Sequence, residues 1–444
     1  MLVNFSVQNF GSIKDKQTLS FEADKSMYLE DYYVINTNGL RLLKLGLIFG
    51  ANASGKTMIL KALDFLRTLV LYPKIQKTET LEFEPFLFDE NTPLQNTVFE
   101  IEFIQNNKRY LYKVELNKEA IIREELYSFY RSKANIFKRS TDLQSKFTKI
   151  EFGHKMKISK SVEETLENNT LWNNTVLGGF LKTNMDAEEF VAILDWFGDY
   201  LSTMVTPQTN LSKDFKKTLS NDKYKEAIVQ ILKQADFNIS NYFLKDKNGN
   251  DEYMQKKNNL TKKEYEDSKR NGIIVDINDF IKLYGNTSIT NINFEHTVKG
   301  NTYLLDFDLE SQGTQRYYTF ACLLITLVNN SVLVSVDELE SSLHPDLFIH
   351  FLLSFLTNSK QSQLLATTHN REILNDKEIF RNDAIWITDK NNENSATELY
   401  SLADFDTKVI RDTTNILNAY KLGKLGGVPN LGDYYIDIEN DEKK

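Results

Sequence analysis

Cysteine is almost missing from the 444 residues: Cys322 is the only one. That excludes an internal disulfide framework and any cysteine-built zinc site, and it fits a reducing compartment. Proline (6) and glycine (18) are scarce, which excludes collagen-like or linker-dominated architectures. No apolar run approaches the roughly 18 residues needed to span a bilayer. The longest, Phe320 to Val328, is short and contains Thr326. Met1-Leu2-Val3-Asn4-Phe5 also lacks the basic-then-apolar pattern of a signal peptide. A cytoplasmic protein without membrane contact is the expectation. Positive charge is in deficit as well, 53 Lys and Arg against 62 Asp and Glu, for a net charge of -9. A globally basic nucleic-acid coat is therefore excluded, whereas local basic faces are not.

What is present is the composition of a folded chain, 41% hydrophobic and 12% aromatic. Leu2 to Phe21 alternates apolar and polar residues around Gly11-Ser12, which predicts strands and a turn. Leu42 to Phe49 is a mostly apolar run ending at Gly50. Met58 to Leu71 repeats apolar residues at helical spacing. Val98 to Leu116 reads as a hairpin turning at Asn106-Asn107. Glu188 to Met204 and Lys223 to Asp236 have helical spacing. Asp246 to Asn271 is a charged stretch with the look of a solvated loop. After residue 300 the pattern is α/β: a helix over Tyr317 to Val328, a strand over Val332 to Val336, a helix over Phe348 to Leu356 and a strand over Gln363 to Thr367.

Gly50-Ala51-Asn52-Ala53-Ser54-Gly55-Lys56-Thr57 matches G-x-x-x-x-G-K-[ST] in full, between an apolar strand and an apolar-periodic helix. The glycines let successive backbone N–H groups turn inward onto phosphate oxygens, and the helix adds its positive end. Lys56 then bears on the β- and γ-phosphates, and Thr57 offers its hydroxyl to magnesium. The expected ligands are ATP and Mg2+, since both Asn-Lys pairs, at 107 and 117, lack the Asp of a guanine-reading motif. Val332 to Val336 runs into Asp337-Glu338, an acidic strand end suited to holding magnesium (Asp337) and activating a water (Glu338). His369 ends the next strand, where it can sense the γ-phosphate. Ser311-Gln312-Gly313-Thr314 opens a helix and offers a second anion site. One chain cannot easily wrap both anion sites around one nucleotide. Two copies facing head to tail can, which predicts a two-fold homodimer with two sandwiched ATP molecules, or a higher assembly built on it.

This ordered set resembles the ABC-type ATPase head shared by SMC-like proteins. The P-loop is Gly50 to Thr57, the signature-like segment Ser311 to Arg316, and the acidic end Asp337-Glu338. Ser341, Ser342 and His344 resemble the dimer-contacting loop, and His369 the switch histidine. Asn4 to Phe10, Pro85 to Phe88, Phe99 to Phe103, Glu310 to Arg316, Asp337 to Pro345 and Tyr420 to Pro429 resemble more narrowly the RloA/AbiLi-like AAA-type ATPases of abortive infection and restriction loci. That family usually has a basic residue where this chain has Gly11, and Lys14 is the candidate substitute.

The resemblance implies an α/β fold: an ABC-type P-loop head, with a mixed sheet and an antiparallel β lobe, plus a mainly helical insertion. Its parts would be residues 1–160 with the P-loop and β lobe, 161–290 as insertion or lid, and 291–444 with signature, acidic strand and switch histidine. It implies an ATPase in which Lys56, Glu338 and His369 are catalytic. Gly50, Asn52, Ala53, Ser54, Gly55, Lys56 and Thr57 would hold ATP, and Thr57 and Asp337 the magnesium. Ser311, Gly313 and Thr314 would act across the dimer. The implied role is sensor and regulator of a toxic effector, such as a TOPRIM-type nuclease, in anti-phage defence. Two other readings stay open: a scaffold with ATP as a fixture, and an SMC-like repair ATPase acting on DNA. Residues 106–160 carry about twice as many basic as acidic side chains. With Tyr130 and Phe137 among Arg131, Lys133, Lys138 and Arg139, they fit a DNA or RNA contact as well as a hairpin with solvated charges.

Overall fold

The computed structural model describes residues 1–130, 132–154, 156, 158–207, 209, 222–235, 237–245, 291–375, 381–405 and 416–429. Its largest sheet is a seven-stranded antiparallel lobe. The strands are β1 (Leu2–Gln8), β2 (Gln17–Ser20), β6 (Thr97–Gln105), β7 (Lys108–Leu116), β8 (Ile121–Phe129), β9 (Lys133–Asp142) and β10 (Phe147–Phe152), in the order β2-β1-β6-β7-β8-β9-β10. In β6 the alternation is plain: Phe99, Ile101 and Phe103 are buried, whereas Glu100 and Glu102 stay half-exposed. Asn106 and Asn107 both take left-handed φ, 48° and 59°, and join β6 to β7 as a two-residue hairpin favours.

The second sheet carries the P-loop. Between β3 (Val34–Thr37), paired with β4 (Leu40–Leu43), and β5 (Leu45–Gly50), the apolar run is broken at Lys44. Its buried ammonium donates to the Leu356 carbonyl (3.2 Å) near a helix C-terminus, where a cation is favoured. β5 lies at the centre of the order β14-β15-β5-β16-β17, formed with β14 (Leu333–Val336), β15 (Gln363–Thr367), β16 (Ile385–Lys390) and β17 (Thr397–Ser401). The first four strands are parallel and β17 is antiparallel. β5, β14 and β15 are buried along their whole length, as parallel strands covered on both faces must be.

Helices bind the two sheets together. A single turn, α1 (Glu30–Tyr33), precedes β3, and α2 (Lys56–Leu71) leaves the P-loop. Phe65 of α2 meets Phe10 (5.5 Å), Phe83 (5.3 Å) and Phe99 (5.5 Å), which fastens the P-loop helix to the lobe. α3 (Lys160–Asn169), α4 (Val176–Phe180) and α5 (Glu188–Asp195) share this same core, with Trp196 stacked on Phe103 at 4.2 Å. A second core joins α6 (Asp222–Gln234) to α7 (Gln312–Asn329) under a small sheet of β11 (Ile239–Lys245), β12 (Asn291–Val298) and β13 (Asn301–Asp306). α8 (Pro345–Asn358) packs on α7, and α9 (Ile416–Lys421) ends the described helices.

One expectation is corrected. The helix expected over Glu188 to Met204 stops at α5 and a following turn through Tyr200. Leu201 and Val205 then lie extended beside β14, where Val205 N–H donates to Ser335 O (2.8 Å) and Asp337 N–H to Val205 O (2.8 Å). Backbone pairing at an open sheet edge outweighs local spacing there. The stretch expected as a mainly helical insertion also contains β11. β11 pairs with β12, across the stretch 246–290, in an antiparallel register. The apolar run Leu42 to Phe49 spans the end of β4 and most of β5. Arg131, the charged stretch Asp246 to Asn271 and the acidic tail Asp433 to Glu442 lie outside the described residues. Among the described residues, no helix is long and apolar enough to cross a membrane.

Candidate nucleotide site

The P-loop leaves the end of β5 and closes at the start of α2. Gly55 has φ 104°, and a methyl there would lie 2.0 Å from Thr397 Oγ1, so only glycine fits. Ala53 takes φ 62°, part of the curl that turns N–H groups inward. Ser54 is buried and bonded to Thr388 Oγ1 (2.6 Å), while its carbonyl accepts from Thr397 Oγ1 (2.9 Å). Asn52 and Ala53 are exposed at the loop's tip.

Lys56 is 5% exposed and folds back over the loop, donating to Gly50 O (2.8 Å) and Ala51 O (3.0 Å). Its Nζ is 3.5 Å from His369 Nδ1. Burial pushes its pKa down to about 8, although Asp337, Glu340 and Glu338 favour the charged form. Thr57 Oγ1 donates to both oxygens of Asp337, each at 3.0 Å. Thr367 Oγ1 donates to Asp337 Oδ1 (2.6 Å) and accepts from Glu338 N–H (2.8 Å). Glu338 itself has φ 49° and an exposed side chain at the rim. His369 is exposed, and its backbone N–H donates to Glu340 Oε1.

The fold thus brings Gly50 to Thr57, Asp337, Glu338 and His369 into one cluster. Ser311, Gly313 and Thr314 sit elsewhere, at the N-terminus of α7. Ser311 caps that helix by accepting from Thr314 N–H (3.1 Å). None of their described hydrogen bonds reaches the P-loop. Lys14, the candidate substitute at the Gly11 position, is held by Asp89 at 2.6 Å. A methyl on Gly11 would strike Met58 Sδ at 2.3 Å, so the β1–β2 turn lies against the start of α2.

Sequence reasoning missed several supports. Thr367 was in view as part of a strand, without a role. Thr388 and Thr397 lie more than three hundred residues from Ser54 and carry no local pattern. The Tyr420 to Pro429 segment also proves to be a support. Tyr420 OH donates to Gly427 O (2.8 Å), and a methyl at Gly427 (φ 66°) would lie 3.3 Å from Gly50 Cα and 2.8 Å from Ile387 Cγ2.

The fold and this cluster define a P-loop nucleotide-binding ATPase domain of mixed α/β architecture. The chain belongs to the family of AAA domains of the AbiEii-toxin, type IV TA system kind, whose model matches residues 47–375. No curated protein matches it significantly. Among solved structures, it is similar to the SMC head domain from Thermotoga maritima, with TM-score 0.40 and 12% identity over 90% of this chain and 98% of that one. It is also similar to an SmcHead bound to the C-winged helix domain of ScpA, with TM-score 0.44 and 12% identity over 90% and 97%. A third likeness is the Smc head domain with an extended coiled coil, bound to the C-terminal domain of ScpA derived from Pyrococcus furiosus. Its TM-score is 0.39, with 12% identity over 96% and 98%.

Proposed function

We propose that this protein hydrolyses ATP with Mg2+, closes on ATP as a head-to-tail homodimer, and regulates a toxic effector in bacterial anti-phage defence. The observation that carries the chemistry is the convergence of Thr57 and Asp337. They are 280 residues apart in sequence and 3.0 Å apart in the fold, beside a buried Lys56. A hydroxyl and a carboxylate are the oxygen donors a hard cation takes, so the pair fits Mg2+. Bound there, the ion would neutralise charge on the β- and γ-phosphates.

In this reading Lys56 moves from the carbonyls of Gly50 and Ala51 onto phosphate oxygens. Ser54 and Gly55 keep the loop curled. Thr367 fixes Asp337 and the Glu338 backbone together, leaving the Glu338 carboxylate at the rim to accept a proton from the attacking water. His369 lies beside Lys56 and senses the γ-phosphate. The hydroxyl of Ser311 and the free N–H groups of α7 would meet the nucleotide of a second copy. The regulatory role draws on the resemblance to abortive-infection ATPases and on the toxin–antitoxin description of the family. The effector would be a nuclease of the TOPRIM type.

Steady-state turnover tests the chemical part. Wild-type protein should hydrolyse Mg-ATP, and Glu338→Gln should lose roughly two to four decades of kcat while keeping its ATP affinity. Equal turnover in both proteins would remove Glu338 from the role of general base.

A further inference from the structure

Arg316 lies on α7, five residues beyond Ser311, and is 8% exposed. Its guanidinium rests over the Phe320 ring, 4.7 Å from the centroid. Among the described residues its Nε and Nη2 have no hydrogen-bond partner. Burying unmatched donors of a charged group is costly, so the fold holds Arg316 there against its own solvation.

The segment that follows β14 offers the complementary group. One oxygen of Glu340 takes the His369 N–H, while the other, Oε2, is buried and has no partner among the described residues. Burial pushes the Arg316 pKa down, while Glu338 and Glu340 favour its charged form. This loop lies against α7, since a methyl on Gly313 would be 3.4 Å from Ser342 O. Two left-handed residues that are not glycine bracket it, Glu338 at φ 49° and Ser342 at φ 63°. Such strained positions cluster in segments that switch between two packings.

We propose that Arg316 is a positioning residue that pairs with Glu340 and thereby sets the carboxylate of Glu338. Ser311 and Arg316 share one helix. When Ser311 engages the nucleotide of a second copy, α7 shifts against the loop, Arg316 takes Glu340 Oε2, and Glu338 is drawn to its working position. Each chain would then fire when its own signature segment is occupied. This inference rests on the reading of Glu338 as general base.

Two measurements on the full chain test it. The first needs no turnover: urea unfolding of wild type, Arg316→Gln, Glu340→Gln and the double variant, each saturated with the non-hydrolysable analogue Mg-AMPPNP so that the proposed pair is formed. Pairing requires the double variant to lose clearly less than the sum of the single losses. Additive losses overturn the pairing. The second is steady-state ATPase activity. Arg316→Gln should lower kcat about tenfold or more with KM for ATP changed less than about twofold, and Arg316→Lys should recover part of the loss. An unchanged kcat, or a change confined to KM, overturns the positioning role. Should Arg316→Gln fail to fold, Glu340→Gln alone carries the same kcat expectation. Glu338→Gln serves as control. If it turns over like wild type, the base assignment has failed, while the unfolding cycle still decides whether Arg316 and Glu340 pair.

Discussion

Lys56 shows most directly how the site trades stability for binding. Its ammonium is buried against two carbonyls, and burial brings its pKa to about 8. The sign follows from the folded pKa lying below the ordinary lysine value of 10.5. Between about pH 8 and 10.5 the unfolded chain binds more protons, so this residue's contribution to stability rises with pH across that window. Below pH 8 the buried charge costs stability. Lys56→Met should therefore lose Mg-ATP binding yet raise unfolding stability by on the order of 1 kcal/mol. A variant that binds ATP, or one that is less stable, would contradict this. Phosphate needs the charged amine, so ATP binding near pH 8 should take up protons and weaken above it. Calorimetry in two buffers of different ionisation enthalpy measures that uptake, and zero uptake at pH 8 would be inconsistent with it. At this scale the P-loop was legible because its eight residues are adjacent. Asp337 and His369 were legible because each ends an apolar strand. Thr388 and Thr397 were not, because their roles come only from strand neighbours in the folded sheet.

Elements explain where local pattern fails. The hairpin at Asn106-Asn107 was readable, since alternation and turn chemistry agree there. Leu201 to Val205 was not, since its partner is the edge of β14 rather than its own helix. β11 escaped notice because its pairing strand follows a long intervening stretch. The β lobe also holds a buried polar cluster that pins α4. Glu124 accepts from Tyr112 OH (2.7 Å) and from Val176 N–H (2.8 Å), with Arg139 3.9 Å away. Burial raises the Glu124 carboxyl from 4.5 to about 7. A raised carboxyl contributes stability that is fully present below its unfolded pKa and is lost as pH rises through about 7. Wild-type stability should show this fall between pH 4.5 and about 7, and Glu124→Gln should not. Glu124→Leu should cost roughly 3 kcal/mol, because Arg139 is left buried without its carboxylate. Urea unfolding across pH measures both, and identical pH profiles would refute the linkage. The segment behind the P-loop gives a second expectation. Gly427→Val needs space that Gly50 and Ile387 occupy, so it should weaken ATP binding at least about tenfold. Wild-type affinity in that variant would show that the segment does not support the loop.

At the scale of the whole molecule, two cores meet along α7. One holds the P-loop sheet and the lobe, and the other holds β11, β12 and β13 with α6. Ser311 opens α7 on the outside, Tyr317 and Tyr318 bury into the second core, and Phe320 and Leu323 into the first. α7 is thus anchored in both cores, with Ser311 exposed at its start. An exposed Ser311 leaves the start of α7 open to the second copy of the proposed head-to-tail pair.

The solution mass of Glu338→Gln, measured first with Mg-ATP and then with Mg-ADP, tests this account most directly. We expect a dimer with Mg-ATP and a monomer with Mg-ADP. The same mass with both nucleotides would contradict it and make ATP a fixture of a fixed assembly.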